Sequence, residues 1–284
     1  MAHSRKVEPA LDIRPIAGAL GAEIYGIDAS RELDETTVAA VRQALLDHLV
    51  IFLPDQKLTP VRQLAFAKRF GEPMIYPFVK GLEDFPEITP ILKREEDRNN
   101  FGGIWHSDTV YQQQPPMGTM LYALELPPYG GDTLFANQYL AYDALSDGMK
   151  GLLGGLKAIH ISGKSRVQQT RTDMMKHASV GKKGDELQSL HPVIRTHPET
   201  GRKALYVNVA HTIRFDGMTE EESAPILDFL FEHQIQPEFT CRFRWSPGAL
   251  AFWDNRSAMH YPINDYHGFR RLMHRITLAG DTPS

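Results

Sequence analysis

The first part of the chain combines strand-like and helix-like patterns of apolar residues. Apolar and polar residues alternate over 11–15 and 22–25, which is the period of a half-buried β-strand. Residues 34–37 can cap a helix and supply acidic side chains to its first turn, and apolar residues at helical spacing follow at 38–46. An uninterrupted apolar strand is predicted at 49–53. A second helix is predicted from Thr59-Pro60 to Gly71, because Pro in the first turn and Gly after the last are typical helix boundaries.

After residue 100 the pattern changes to many short strands separated by turn residues. These strands are predicted at 119–125, 132–135, 156–161, 192–196, 204–209, 239–245, 249–253 and 271–279. Helical spacing returns near 138–153 and 223–234. The pattern favours one domain over 1–284, mainly β with α decorations, in which a sandwich of the jelly-roll type forms the core.

The stretch 162–190 differs from the rest because it is polar, rich in Gly and Lys, and weakly periodic. We predict a mobile loop or insert there. It could close over a site as a lid, or it could be a solvated surface loop without a role, and the sequence favours neither.

Charge and cysteine content narrow the possible partners. The chain has 31 basic and 35 acidic residues and a formal net charge of −4, which gives no electrostatic basis for binding nucleic acid or an anionic membrane. No apolar run is long enough to cross a bilayer, and no apolar signal segment precedes Pro15. The single cysteine, Cys241, excludes an intrachain disulfide and Cys-rich metal sites. We therefore expect a cytoplasmic protein with a small-molecule partner.

Three residues are candidate metal ligands. If 103–109 forms a strand, His106 and Asp108 point to the same side, because alternate residues of a strand share a face. His260, beyond the apolar strand 249–253, could add a second imidazole. Two His and one carboxylate form the facial triad of non-haem iron(II) oxygenases, with open positions for a 2-oxo acid and O2. Taken alone, His260 is more simply explained as an ordinary histidine at a strand end.

Two arginines share one face of the last predicted strand. Arg271 and Arg275 lie on the same side because strand residues alternate. If that side faces the interior, both guanidinium groups need anionic partners, and a dicarboxylate cosubstrate would supply one. Leu272 and Ile276 on the other face would equally suit the reverse orientation, so the pattern alone does not decide.

From about Asp12 to Gly280, the chain resembles the taurine and 2,4-dichlorophenoxyacetate dioxygenases, the TauD/TfdA family of 2-oxoglutarate-dependent enzymes. Four motifs carry the resemblance. The first two are Trp105-His106-Ser107-Asp108 and Gly130-Gly131-Asp132-Thr133, and the third is a segment of the substrate pocket at 191–193 and 201–208. The fourth begins at Trp253-Asp254-Asn255-Arg256 and continues through His260 to Arg271 and Arg275.

The resemblance implies a double-stranded β-helix and a defined set of roles. His106, Asp108 and His260 would bind Fe(II). Thr133 and Arg271 would bind a carboxylate of 2-oxoglutarate. Arg275 would hold the anionic group of the substrate, so that both arginines point inward.

The residues that would surround the substrate depart from the taurine-specific pattern. Tyr76 and Phe78 stand near the place of a His and a Tyr, Gly102 replaces an Asn, and Ala210, followed by His211, replaces an aromatic residue. These losses predict a larger and less polar pocket, because a buried polar group left unpaired costs about 1–3 kcal/mol. We expect an anion bulkier or more apolar than taurine, such as an alkyl or aryl sulfonate, a sulfate ester or an aryloxyalkanoate.

Together, these observations predict a dioxygenase that uses Fe(II), 2-oxoglutarate and O2 to hydroxylate a small organic anion. The C–S or C–O bond would break where the hydroxylated carbon carries the heteroatom. Two alternatives stay open: a zinc-type metallohydrolase, since two His and a carboxylate also bind catalytic zinc, and a non-catalytic jelly roll that binds a small acid. Homo-oligomerisation also stays open.

Overall fold

The protein is described by a computed structural model over residues 11–178, 180 and 187–284. Within these ranges the strands, in chain order, are β1 (Asp12–Pro15), β2 (Ala22–Tyr25), β3 (Val50–Leu53), β4 (Pro73–Met74), β5 (Thr89–Lys93), β6 (Gly118–Glu125), β7 (Thr133–Asn137), β8 (Lys157–Ile161), β9 (Gln188–Pro192), β10 (Ile194–Thr196), β11 (Lys203–Leu205), β12 (Thr212–Phe215), β13 (Thr240–Phe243), β14 (Leu250–Asp254), β15 (Ala258–Pro262) and β16 (Arg271–Leu278).

The helices begin where the sequence supplies capping side chains. They are α1 (Glu35–His48), α2 (Pro60–Ala67), α3 (Gln138–Asp143), α4 (Asp147–Leu153), α5 (Ser165–Ala178) and α6 (Glu220–His233), with a 3-10 turn at Pro237–Phe239. The predicted caps of the first two helices are confirmed, because Asp34 accepts a hydrogen bond from the Thr37 amide and Thr59 from the Arg62 amide. Within the described ranges, none of these helices has both the length and the apolar character needed to span a membrane.

Two facing sheets form the core. The large sheet has the order β1-β2-β3-β14-β6-β16-β4, with β5 also paired to β16, and the smaller sheet has the order β13-β7-β15. Between them, the ring of Phe52 stacks on Phe243 at 3.7 Å between centroids and meets Phe135 edge-on at 5.8 Å. Helices α1 and α2 contribute to a second apolar cluster with residues of β3, β6 and β14. The predicted jelly roll with α decorations is confirmed.

Two local predictions are wrong. The segment 103–109 is not a strand; it makes a single β-bridge between His106 and His260, and Thr109 has a φ of 43°. The predicted mobile loop at 162–190 contains a helix, α5, over 165–178. Residues 179 and 181–186 of that stretch lie outside the described ranges. The prediction of one domain over 1–284 also extends beyond them and stays a prediction.

Candidate active site

A β-bridge brings the two predicted metal-binding histidines together. The amide of His106 donates to the carbonyl of His260 at 3.1 Å, and the reverse hydrogen bond measures 2.9 Å. His260 belongs to β15, which is paired along its length with β7, so its position is fixed by the small sheet. Asp108 follows in the turn after the bridge. One potential ligand atom from each of the three residues lies within 4.8 Å of the others.

The orientation of the His106 ring leaves one nitrogen free for a metal. Its Nδ1 lies 2.7 Å from the Ile104 carbonyl, which can only accept, so Nδ1 carries the proton and Nε2 has the lone pair. Nε2 lies 3.7 Å from Oδ1 of Asp108. Gly102, with φ +72°, lies against the same edge of the ring, since a Cβ there would be 3.0 Å from Cε1 and 3.3 Å from Nε2. A side chain at position 102 would therefore press against the His106 ring, and glycine avoids this contact.

A chain of buried hydrogen bonds holds the Asp108 carboxylate. The hydroxyl of Thr119 donates to its Oδ2 at 2.7 Å, and the side-chain amide of Asn255 donates to that hydroxyl at 2.9 Å. The Trp253 indole in turn donates to Asn255 Oδ1 at 3.0 Å. Such outer contacts fix the direction in which a ligand oxygen points. The sequence motif containing Trp253 and Asn255 thus supports the site without contributing a ligand.

The electrostatic environment puts all three groups in the state that a metal requires. Burial alone would raise the pKa of Asp108, but the neighbouring His260 and Arg275 lower it to about 2. Burial lowers the pKa of His260 to about 3, and it also lowers the pKa of His106. At neutral pH the cluster is one carboxylate and two neutral imidazoles. This donor set matches that of non-haem iron(II) oxygenases.

On one side of the cluster lies a cavity of about 40 Å³ that contains an unpaired cation. Thr133, His260 and Arg271 line it, together with apolar residues from β5 and β6. Arg271 is 3% exposed, its Nε and Nη2 have no hydrogen-bond partner, and it forms no ion pair with any described residue. A buried guanidinium in this situation is costly unless an anion joins it. The cavity is therefore suited to a carboxylate ligand.

The hydroxyl of Thr133 is oriented by a residue that the sequence analysis did not single out. The Trp245 indole N–H donates to Thr133 Oγ1 at 3.0 Å. Because the oxygen accepts this bond, the hydroxyl hydrogen is free to donate to a ligand. The face of Trp245 also lies 5.7 Å from the Arg271 guanidinium. A single indole thus positions both residues expected to bind 2-oxoglutarate.

A second cavity lies against His106 and Asp108 and adjoins the first, with which it shares the lining residues Phe101, Gly102, His106 and Arg275. Of the predicted substrate residues, Tyr76, Gly102, Ala210, His211 and Arg275 line it. Phe78 does not line it; its ring packs behind, 5.8 Å from Tyr76. Residues 191–193 and 201–208 do not reach the cavity either. Further lining residues were not predicted: Phe101, Ile104, Thr109, Tyr111, Val167, Thr170 and Arg171.

The second cavity is smaller than the sequence led us to expect. Its free volume is about 20 Å³, which is room for one or two water molecules. The space that Gly102 and Ala210 leave is approached by α5, which contributes Val167, Thr170 and Arg171 to the wall. His211 is buried beside Tyr111, and burial, followed by the charge of Arg171, lowers its pKa well below the usual value. The site therefore holds a neutral imidazole close to a guanidinium.

Comparison with known proteins agrees with this architecture. The sequence model described as "Taurine catabolism dioxygenase TauD, TfdA family" matches residues 12–277. An alkylsulfatase from Acinetobacter baylyi is 35% identical over an alignment of 278 residues, which covers 95% of this chain and 86% of that protein. An alpha-ketoglutarate-dependent sulfate ester dioxygenase from Pseudomonas putida is 34% identical, over 96% of this chain and 91% of its own. A solved taurine dioxygenase from Burkholderia xenovorans has a TM-score of 0.83 at 35% identity, over 97% of this chain and 91% of that chain. The chain belongs to the TauD/TfdA family of dioxygenases.

Proposed function

We propose that this protein is an Fe(II)- and 2-oxoglutarate-dependent dioxygenase that oxidises a small organic anion: a sulfate ester, a sulfonate or an aryloxyalkanoate. The observation that carries the proposal is the buried, unpaired guanidinium of Arg271 in a cavity that His260 also lines. Family membership supports the reaction class. The names of two relatives, an alkylsulfatase and a sulfate ester dioxygenase, support the substrate class.

The metal would be held by Nε2 of His106, a carboxylate oxygen of Asp108 and the imidazole of His260. Bound Fe(II) with 2-oxoglutarate supplies an oxidation by O2 that yields succinate and CO2 and inserts one oxygen atom into a C–H bond of the substrate. The protein's part is to keep the ligands in place. Thr119 holds Asp108, and the Ile104 carbonyl holds His106.

The cosubstrate would occupy the cavity of Arg271 and Thr133. The guanidinium offers two unpaired nitrogens in a planar fork, and the Thr133 hydroxyl can donate a further hydrogen bond to the same carboxylate. A zinc hydrolase would not require this cavity, because its catalytic water binds directly to the open coordination position of the zinc ion.

The substrate would occupy the second cavity, with its anionic group on Arg275 and its body near Tyr76, Gly102, Ala210 and His211. Taurine itself is disfavoured, because Asp108 is the one carboxylate among the described residues of the lining and is needed by the metal. The ammonium group of taurine would then lack a partner. An anion without a cationic end fits this lining better.

The test measures succinate from protein loaded anaerobically with Fe(II) and supplied with 2-oxoglutarate, air and one of four compounds: hexyl sulfate, hexanesulfonate, 2,4-dichlorophenoxyacetate or taurine. We expect substrate-dependent succinate with at least one of the first three, less with taurine, and none from Asp108→Ala. Bound 2-oxoglutarate without succinate would favour a non-catalytic acid-binding protein. Cleavage without consumption of 2-oxoglutarate would favour a hydrolase.

Cytoplasmic location is also part of the proposal and rests on the single cysteine, Cys241, which is buried and unpaired. Fractionation of the cells that express the protein would test it. Homo-oligomerisation stays open, and sedimentation of the purified protein would decide it.

A further inference from the structure

The second cavity contains a guanidinium group that neither the motifs nor the family resemblance singled out. Arg171 of α5 lines it together with Arg275 of β16. Val167, Thr170 and Arg171 are spaced so that they share one face of α5, and all three are in the cavity wall. The helix therefore presents a continuous face to the site.

Both guanidinium groups lie over one row of aromatic rings. The rings of Phe101, Tyr76, Phe78 and Tyr111 follow one another at centroid distances of 6.0, 5.8 and 6.0 Å. Arg275 lies 4.4 Å from the Tyr76 ring, and Arg171 lies 5.1 Å from the Phe78 ring. Stacking of this kind holds a guanidinium in place while its N–H edges stay free to bind a ligand.

The positive charge of this pair is not balanced by the described residues around it. Arg171 forms no ion pair with any of them, and its one hydrogen bond is from Nη1 to the Ser162 carbonyl at 3.2 Å. Arg275 lies 3.7 Å from Asp108, and its Nε and Nη2 have no hydrogen-bond partner. The carboxylate of Asp108 is required for the metal. Two guanidinium groups thus line a cavity whose single carboxylate among the described lining residues, Asp108, belongs to the metal site.

The position of Arg171 is fixed by a contact elsewhere on α5. The carboxylate of Asp173, which is 7% exposed, accepts hydrogen bonds from the amides of Arg98 and Asn99 at 3.1 and 2.8 Å and from the Asn99 side chain at 2.9 Å. Lys176 adds a contact at 2.7 Å. These bonds tie α5 to the segment that leads into Phe101 and Gly102. The helix that carries Arg171 is therefore fixed beside the cavity, and the Arg171 side chain is half-buried in its wall.

We propose that Arg171 and Arg275 together bind the anionic head of the substrate and select a sulfate ester or sulfonate over a carboxylate. The inference rests on the proposed function and deepens it. A carboxylate has two coplanar oxygens, which one guanidinium fork occupies. A sulfo group has three outer oxygens arranged around sulfur, so it can meet two forks that come from α5 and β16. Arg171 then determines specificity and takes no part in the oxidation.

The test compares Arg171→Gln and Arg171→Lys with Arg166→Gln, a matched control on the same helix that lines a separate surface groove. Binding of hexyl sulfate and of hexanoate to the Mn(II)- and 2-oxoglutarate-loaded protein is measured by calorimetry without O2. In Arg171→Gln we expect the Kd of hexyl sulfate to rise roughly 10- to 100-fold. The Kd of hexanoate should change less than about threefold, and Arg171→Lys should be intermediate because it keeps the charge but not the fork.

The same variants separate this inference from the proposed function. In all three variants, the Kd of 2-oxoglutarate should stay within about twofold of that of the unmodified protein. In the two Arg171 variants, succinate formation with hexyl sulfate should show the loss in KM rather than in kcat. Equal weakening of both anions in Arg171→Gln, or a Kd of hexyl sulfate equal to that of Arg166→Gln, would overturn the role of Arg171. Failure of the unmodified protein to bind 2-oxoglutarate would instead overturn the proposed function.

Discussion

The unpaired guanidinium of Arg271 predicts that a substitution in the core raises stability. Two of its nitrogens are buried without partners, and each such donor costs about 1–3 kcal/mol. Its cation–π contacts with the rings of Trp245 at 5.7 Å and Tyr266 at 6.0 Å offset about 0.5–1 kcal/mol of this cost each. Met replaces the stem of the arginine side chain with an unbranched apolar chain and has no N–H donor to satisfy. In the absence of 2-oxoglutarate, Arg271→Met should therefore gain about 1–4 kcal/mol, a rise in melting temperature of roughly 2–7 °C.

Binding of 2-oxoglutarate should stabilise the unmodified protein but not Arg271→Met. At a concentration about 100 times its Kd, 2-oxoglutarate stabilises a protein that binds it by about 2.7 kcal/mol. The Mn(II)-loaded, unmodified protein should show this increase in urea unfolding without O2, and Arg271→Met should show none. The stability advantage of Arg271→Met should then shrink by about 2.7 kcal/mol when 2-oxoglutarate is added.

Arg195→Met is the matched control for this experiment. Arg195 is also fully buried with two unpartnered nitrogens, but it is paired with Asp281 and lines neither cavity. Its replacement removes a buried guanidinium outside both cavities and should therefore leave the response to 2-oxoglutarate intact. The reasoning is refuted if Arg271→Met is less stable than the unmodified protein without 2-oxoglutarate, or if 2-oxoglutarate stabilises both equally.

Three further substitutions test two positions beside the cluster and one buried histidine of β8. Thr119→Val removes the donor to Asp108 and should weaken Mn(II) binding about 10- to 100-fold in a calorimetric titration; an unchanged Kd would contradict the positioning role. Gly102→Ala puts a Cβ 3.0 Å from the His106 ring at a positive φ, so both Mn(II) affinity and melting temperature should fall, and a neutral result would show that the ring can move. Burial lowers the pKa of His160 to about 3, whereas the unfolded chain takes up the proton near pH 6.5, so stability falls as the pH drops below that value. Between pH 7.5 and 5.5, His160→Gln should lose about 1.4 kcal/mol less than the unmodified protein in urea unfolding, and an equal loss would refute the assignment.

The sequence predicted the parts of the fold and site that depend on local alternation. That Arg271 and Arg275 share a face follows from the period of β16, whereas their inward orientation was implied only by the family resemblance; both side chains are buried. The proximity of His106 and Asp108 was expected for the wrong reason, since a turn after a single bridge, rather than a strand, brings them together. Spacing by two residues is short enough for either geometry, which is why the prediction of proximity did not depend on the strand.

Helix α5 could not be recognised from its own residues because its stability comes from elsewhere. Its sequence is polar, with apolar residues too few to mark a strong stripe, and the contacts of Asp173 are to backbone amides that lie far away in the chain. Tertiary hydrogen bonds of this kind leave no periodic signal. The support that Trp245 gives to Thr133 was missed for the same reason.

The size of the second cavity shows that contacts between residues far apart in the sequence can change the effect of a substitution on pocket volume. Gly102 and Ala210, taken one at a time, predicted a larger pocket, because each replaces a bulkier residue of the family. In the folded chain, α5 brings Arg171 and Val167 to the same wall, and the free volume is only about 20 Å³. Close packing makes small residues at one position compatible with a large side chain arriving from another. The size of the pocket is therefore determined by α5 together with the small residues, and a substrate prediction has to consider both.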